Sequence, residues 1–420
     1  MNIIFLVHGL LSKPTYFSKL QDSLAKYAKK KKGKAAIILS TSNNFEKTLS
    51  SIQVCGKRLA KEIKEELVIV LKSFQKISEQ KKKNKKKSKK DAEESIPIFK
   101  KYNLLDREKE KKKKTQRNKS KKVIHLSIIG HSLGGLISRY ALYVLHQENW
   151  FAKNNVLCKY FVTFATPHLG VRKNIPLGLF DKFYTKGIVL LGKSCSEMLL
   201  VDHKRSKKKA EEMPLLVKMT SKDFLKPLQL FQYRVLYGNL FLDWKVPFES
   251  SLILPLYKNK RQVIRKFANK LKNNEIRNSP KNKNEDEHLN EKYSLKWKQF
   301  MKNVDHNKQK KKNSKSKKKS NNENANKPFL IPNNYLEELR YSNDENLKKR
   351  YYITNKYHEY LFTMVKRLDR LGWERNAIWF QDTKLVKKIF VHDRGTNLFF
   401  KIFDNTDKQL IKNFTSKFIF

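Results

Sequence analysis

The stretch VIHLSIIGHSLGGLISRYALYVL, residues 123–145, decides the fold of this chain. It opens with an apolar, β-branched run and closes with apolar residues at helical spacing, so it predicts a strand, a sharp turn and a helix. The turn is a G-x-S-x-G motif centred on Ser132, in the context typical of a nucleophile elbow. It needs Gly130 and Gly134 because larger side chains would collide there, and its strained backbone presents the hydroxyl outward. The motif predicts a serine hydrolase; the alternative is an ordinary glycine-rich helix start.

The composition is strongly basic, with a formal net charge of +54 over 420 residues. Two segments concentrate the excess, since 76–122 carries 21 Lys/Arg against 7 Asp/Glu and 257–327 carries 23 against 7. Both are poor in apolar residues, so we expect two disordered inserts that cannot bury enough surface to offset the entropy of ordering. The remainder is long enough for a well-filled core and is itself basic, which predicts attraction to anionic partners.

The cysteines and the apolar runs predict the cellular location of the protein. Cys55, Cys158 and Cys195 are widely spaced, which favours packed, reduced thiols over a disulfide framework. No apolar run approaches the ~18 residues that span a bilayer. Residues 1–7 lack the basic leading region and cleavage site of a signal peptide and fit a strand instead. We therefore expect a cytoplasmic protein, with peripheral contact to membranes or lipid droplets.

Apolar runs of strand length alternate with helical patterns along the chain, which predicts an α/β fold with a mainly parallel sheet and helices on both faces. The predicted strands are 3–7, 35–39, 123–129, 160–165, 233–237, 377–380 and 385–391, and the main helices are 15–28, 45–74, 133–145 and 357–371. We expect one domain over 1–420, interrupted by the two inserts. The apolar helices of 171–230 fit either a lid or ordinary core helices.

A serine needs a base to take its proton, and that histidine needs a carboxylate to orient it. In this fold class the order along the chain is serine, acid, histidine. His392 is favoured because it follows the last apolar run, whereas His168 has no convincing acid between it and Ser132, and His358 lies within a helical pattern.

Asp243 is the favoured acid because it stands in the loop after the strand that ends at Gly238. Asp202 and Asp223 fit helix caps better. The oxyanion of the tetrahedral intermediate needs backbone N–H donors. Leu133, directly after the serine, and Leu10, in the loop after the first strand, are the predicted donors.

At these residues the chain resembles the putative serine esterase family of the α/β-hydrolase superfamily, which includes the yeast lipid-droplet phospholipase. The matching pieces include FLVHGL at 5–10, FVTFATPHLG at 161–170 and YGNLFLDWKVPFESSLI at 237–253. The resemblance implies Ser132, Asp243 and His392 as a triad, and acyl lipids as the substrate class. The two Lys-rich inserts are foreign to the pattern, and the neighbourhood of His392 departs from it.

These observations predict a serine ester hydrolase that acts on lipid acyl esters through an acyl-enzyme, with no metal or organic cofactor. The expected partners are a lipid ester substrate and an anionic membrane or lipid droplet surface. One alternative is an esterase for non-lipid acyl groups. Another is an inactive hydrolase scaffold that binds polyanions, although the lysine runs lack the interleaved aromatics of single-strand nucleic-acid binders.

Overall fold

The computed structural model describes residues 1–31, 33, 35–87, 123–171, 192–202, 213–239, 243, 245–254, 329–331 and 355–379. Its centre is a sheet whose strands lie in the order β2-β1-β3-β4-β5-β7-β6. The strands are β1 (Asn2–Val7), β2 (Ala35–Leu39), β3 (Ile124–His131), β4 (Val156–Phe164), β5 (Tyr233–Asn239), β6 (Phe329–Ile331) and β7 (Glu374–Trp379). All neighbours pair in parallel except β6 and β7, which are antiparallel. The prediction of a mainly parallel α/β sheet is confirmed.

The described helices flank this sheet in chain order. They are α1 (Ser18–Lys30), α2 (Ile52–Lys87), α3 (Leu133–Gln147), α4 (Trp150–Lys153), α5 (Lys193–Met198), α6 (Leu215–Lys218), α7 (Lys222–Gln229), α8 (Phe248–Ser251) and α9 (Lys356–Asp369), with 3₁₀ turns at Pro14–Phe17 and Phe45–Leu49. None of them is long and apolar enough to cross a bilayer.

The two faces of the sheet carry different helices. Leu20 and Leu24 of α1 join a core cluster with the alternate residues Ile4 and Leu6 of β1. On the opposite face α3 lies so close that a Cβ on Gly135 would come 2.9 Å from the Thr163 side chain. Successive side chains of a strand point to opposite faces, so continuous apolar strands are buried on both sides.

Helix α2 packs against α3. A Cβ on Gly56 would stand 2.6 Å from the Cβ of Tyr140, so the two helices approach closely. The predicted helix 45–74 is wrong at both ends. Ser51 interrupts it, because its Oγ accepts the Val54 N–H at 3.1 Å and caps a new helix. At the far end α2 continues to Lys87, because lysine, glutamine and glutamate are strong helix formers and extend the helix into the segment predicted to be disordered.

Several predicted features lie outside the described residues. They are the remainder of the first insert, the whole of 257–327, and the strand 385–391. The described residues belong to one of the two units into which the chain divides, 1–256 together with 326–420. Within 171–230 the described helices are packed, with Cys195, Leu216 and Leu228 buried, whereas 172–191 and 203–212 lie outside the description. A lid stays a prediction.

The cysteines agree with the sequence-based interpretation. Cys55, Cys158 and Cys195 are free and buried. Burial raises the thiol pKa of Cys55 to about 11 and that of Cys158 to about 12, so both stay protonated and unreactive near neutral pH.

Candidate active site

Ser132 stands between β3 and α3 in a strained backbone conformation, with φ 51° and ψ −127°. Two hydrogen bonds fix this turn. The Ser132 N–H donates to the Phe164 carbonyl at the end of β4 at 2.8 Å, and the Gly135 N–H donates to the Ser132 carbonyl at 3.2 Å. Non-glycine residues occupy such conformations only where the surroundings hold them, and such sites are commonly functional. The geometry is that of a nucleophile elbow.

Glycines make room for the elbow at three contacts. A Cβ on Gly134 would lie 2.1 Å from the Val7 carbonyl oxygen, and a Cβ on Gly130 would lie 2.6 Å from Gly135 Cα. A Cβ on Gly9 would stand 2.8 Å from Ser132 Cβ. The end of β1 therefore packs directly against the turn, which explains why the motif needs bare backbone on both sides of the serine.

The loop after β1 brings the predicted oxyanion donors near the serine. Leu10 follows Gly9, which touches Ser132, and Leu133 is the first residue of α3. Within the described ranges neither the Leu10 N–H nor the Leu133 N–H donates a hydrogen bond to the protein. Free N–H groups beside a nucleophile suit an oxyanion hole. Their role stays a prediction.

Asp243 lies in the loop beyond β5, and donors on Asn239, Lys245 and Val246 hold its half-buried carboxylate. Oδ2 accepts from Asn239 Nδ2 at 2.9 Å, while Oδ1 accepts the N–H groups of Lys245 at 3.1 Å and Val246 at 2.9 Å. Several donors to one carboxylate favour the charged form. The other acids fill structural roles, since Asp202 accepts the N–H of Leu215 at the start of α6 and Asp223 pairs with Lys226.

The register brings the ends of these strands to one edge. His131 of β3 pairs with Phe164 of β4, Phe164 pairs with Tyr237 of β5, and Asn239 of β5 pairs with Ile378 of β7. Ser132, Asp243 and the chain leaving β7 therefore start from the same carboxyl edge of the sheet, where open α/β sheets place their sites. His392 follows β7 in sequence but lies outside the described residues, so its place in a triad stays a prediction.

His168 is buried under the elbow in a structural network. Its Nδ1 lies 3.4 Å from Arg139 Nη1 and its Nε2 lies 3.0 Å from Thr163 Oγ1. Because a guanidinium only donates, Nδ1 accepts and Nε2–H donates, which fixes a neutral tautomer. Burial, with Arg139 and Arg375 adding to it, holds the pKa of His168 well below its usual value. Both ring nitrogens are occupied, so His168 does not serve as the base.

His8 also has a structural partner. Its Nδ1 donates to the Gly9 carbonyl at 3.1 Å, and burial lowers its pKa. It therefore braces the loop that touches Ser132.

The family comparison agrees with the elbow. The family model described as "Putative serine esterase (DUF676)" matches residues 1–79 and 108–254. These ranges cover more than half of the chain and include Ser132 and Asp243. The chain belongs to this serine esterase family.

Relatives of this chain in two yeasts carry lipase names. One protein from Schizosaccharomyces pombe named a putative lipase is 35% identical over 130 residues, which is 30% of this chain and 16% of the relative. Another from Saccharomyces cerevisiae is 32% identical over 130 residues, 31% of this chain and 19% of the relative. The putative lipase ROG1 of the same yeast is 28% identical over 158 residues, 36% of this chain and 21% of the relative. The chain spans about a fifth of the length of these relatives.

Two residues near the site were missed from the sequence. Asn239 holds the Asp243 carboxylate, and its only sequence signal is its position at a strand end four residues before the acid. Arg139 lies fully buried below the elbow, where Nη2 donates to the Met219 carbonyl at 2.8 Å. Burial lowers its pKa to about 10, and among the described residues no carboxylate pairs with it. An arginine within the apolar face of α3 was the available signal.

Metal and cofactor chemistry were not expected from the sequence. In the described part of the chain, no group of three or more histidine, cysteine, aspartate or glutamate side chains is arranged to hold a metal ion. The expectation stays a prediction.

Proposed function

We propose that this chain hydrolyses lipid acyl esters, with glycerophospholipids as the preferred substrates. The observation that carries the proposal is the strained backbone of Ser132, held by a glycine-lined turn at the carboxyl edge of the sheet. A strained serine at this position of an α/β sheet suits nucleophilic attack on an ester carbonyl. Membership of a serine esterase family supports the reaction class.

The proposed reaction has two halves. Ser132 Oγ attacks the ester carbonyl while His392 takes its proton, and the N–H groups of Leu10 and Leu133 hold the oxyanion. His392 then protonates the leaving alcohol as the C–O bond breaks, which leaves an acyl-enzyme. Water, deprotonated by His392, releases the fatty acid and restores Ser132. Asp243 orients His392 and stabilises its charged form.

The lipid substrate class is supported by two observations. The yeast relatives carry lipase names, and the net charge of +54 favours surfaces that present anionic headgroups. We propose that the protein acts in the cytoplasm, in peripheral contact with membranes or lipid droplets. No specific nucleic-acid partner is part of the proposal.

Fatty acid release from phospholipid vesicles, measured beside hydrolysis of a soluble short-chain ester, tests the proposal. We expect Ser132→Ala and His392→Ala to abolish turnover of both substrates. His146→Ala is the matched control, because His146 is a half-exposed histidine at the end of α3 and should leave turnover unchanged.

Three outcomes would contradict parts of the proposal. Turnover retained in Ser132→Ala would exclude Ser132 as the nucleophile. Turnover retained in His392→Ala would exclude His392 from the triad. Hydrolysis of the soluble ester without release from vesicles would replace the lipid substrate class with non-lipid acyl groups. Retained activity after deletion of 88–122 and 257–327 is expected for a hydrolase, whereas a polyanion-binding scaffold would lose its partner.

A further inference from the structure

Two large apolar side chains protrude from neighbouring loops at the site. Leu11, in the loop after β1, is 37% exposed, and Phe45, in the 3₁₀ turn after β2, is 47% exposed. We call this pair the apolar tip. Both loops leave the carboxyl ends of their strands, which is the edge that carries Ser132.

Hydrogen bonds hold the two loops together. The Phe45 N–H donates to the Ser12 carbonyl at 3.0 Å, and the Leu11 N–H donates to Thr48 Oγ1 at 2.9 Å. The same Thr48 hydroxyl donates to the Phe45 carbonyl at 2.5 Å. The apolar tip is therefore one braced unit, and Leu11 adjoins Leu10 of the predicted oxyanion loop.

The backbone of the apolar tip is unusual. Leu11 has φ 49° and Phe45 has φ 43°, in the left-handed region that glycine or asparagine occupies at lower cost. Large apolar residues kept in strained and exposed positions do not contribute to the core. Strain of this kind concentrates at functional surfaces.

The charge around the apolar tip selects its partner. Lys13 and Lys47 are exposed next to it, and the backbone carbonyl of Lys47 accepts from Arg58 Nη1 at 3.2 Å. Glu46 is the one exposed carboxylate within these two described loops. Exposed apolar side chains flanked by two exposed lysines match a surface with an apolar interior and anionic headgroups.

We propose that the apolar tip inserts into anionic phospholipid surfaces while Lys13 and Lys47 meet the headgroups, which holds the Ser132 edge of the sheet against the lipid. This inference rests on the membrane contact of the proposed function and names the surface that makes it.

A fluorescence experiment on the full-length chain in a Ser132→Ala background tests the insertion without turnover. A cysteine introduced by Phe45→Cys is labelled with a polarity-sensitive dye, because Cys55, Cys158 and Cys195 are buried and react poorly. Leu230→Cys is the matched control, since Leu230 is also 47% exposed but lies just before β5, at the opposite edge of the sheet. Vesicles of phosphatidylcholine, with and without phosphatidylserine, are the probes.

We expect the dye at position 45 to shift to the blue on phosphatidylserine vesicles and the dye at position 230 to stay unchanged. Sedimentation should show Phe45→Ala weakening vesicle binding about tenfold at raised salt, where the contribution of exposed charges is screened. Leu230→Ala should bind like the parent chain.

The proposal is overturned if the dye at position 45 keeps its aqueous emission, whether or not the chain sediments with vesicles. Equal shifts at positions 45 and 230 also overturn it. A blue shift at position 45, together with a wild-type chain that hydrolyses no ester, would contradict the proposed hydrolase but support insertion of the apolar tip. Hydrolysis of soluble esters without a blue shift would support the hydrolase and contradict the insertion.

Discussion

The turns that carry Ser132 and Asp243 stand at one edge of the sheet but are held in different ways. Close packing holds the Ser132 turn in addition to its two backbone hydrogen bonds, because glycine backbone meets the Val7 carbonyl and Gly135 at distances that exclude any Cβ. Hydrogen bonds hold the Asp243 turn, through Asn239 and two N–H groups within three residues of the acid. The first turn depends on the β1–β3–α3 junction, whereas the described donors to Asp243 lie within four residues of it in the sequence.

This difference predicts how each turn fails. Damage to a packed turn raises the free energy of the folded state, so stability and activity fall together. Damage to a hydrogen-bonded, half-exposed turn changes the orientation of one carboxylate, so activity falls while stability holds. Four substitutions test this account of how stability and activity depend on the two turns.

Asp243→Asn should have the largest effect on activity. The amide cannot stabilise a charged histidine, so kcat/KM for a soluble ester should fall roughly 10³- to 10⁴-fold. The melting temperature should stay near that of the wild type. Asp223→Asn is the control, because Asp223 is exposed and pairs only with Lys226 among the described residues. Wild-type activity in Asp243→Asn would exclude it as the acid.

Gly134→Ala should break the packed turn. Its Cβ would lie 2.1 Å from the Val7 carbonyl oxygen, so β1 and α3 must separate, at a cost of roughly 3 kcal/mol or more of unfolding free energy. Urea denaturation measures this loss. At Gly372 nothing lies within 4 Å of a Cβ and φ is +64°, so Gly372→Ala should cost only about 1 kcal/mol. Equal losses for the two variants would contradict the packing account.

Glu197→Gln should change how the free energy of unfolding depends on pH. Glu197 Oε2 accepts the Ile52 N–H at the start of α2 at 2.6 Å, and burial raises its pKa to about 8. An acid whose pKa is raised by folding stabilises the fold at pH values below its unfolded pKa, about 4.5 for Glu197. This contribution is lost as the pH rises through the folded pKa of about 8. Wild-type stability should therefore fall, on the order of 2 kcal/mol, between about pH 5 and about pH 8.5.

The Glu197→Gln chain should lose that slope, as measured by urea denaturation at both pH values. His168 has a depressed pKa, so it favours the fold above about pH 6.5 and destabilises it below. Because His168 is present in both chains, subtracting the two profiles isolates Glu197. Parallel profiles would show that Glu197 does not titrate in this window.

Asn239→Ala should have the smallest effect. It removes one of the described donors to Asp243, and kcat should fall about tenfold with little change in KM. Asn154→Ala is matched, since Asn154 also donates one side-chain hydrogen bond, to the Trp150 carbonyl, away from the site. A loss equal to that of Asp243→Asn would mean that the acid depends on Asn239 alone.

The sequence predicted the fold well where apolar runs are buried on both faces of the sheet, as in β1 and β3. It predicted the position of Ser132 because a glycine-lined turn has few alternatives. The helix cap at Ser51 was not predicted, because a serine within a helical pattern can equally well be a solvent-exposed residue of one continuous helix. Strand β6 was not predicted either, because three residues at a sheet edge show no periodicity.

The candidate site was only partly predictable for a physical reason. Arg139 contacts Met219, which is distant from it in the sequence, and Asn239 contacts Asp243 just beyond the end of a strand. Residue type alone does not show such contacts. Asp243 was predictable from its place after a strand, but the donors that hold its carboxylate come together only once the loop is folded.

Labelling with a fluorophosphonate probe, followed by mass spectrometric mapping, tests the central claim that Ser132 is an activated nucleophile. We predict one modified peptide, with the probe on Ser132 Oγ, and no labelling in Ser132→Ala or in heat-denatured wild type. A folded wild-type chain that takes no probe, or equal labelling in Ser132→Ala, would contradict the account.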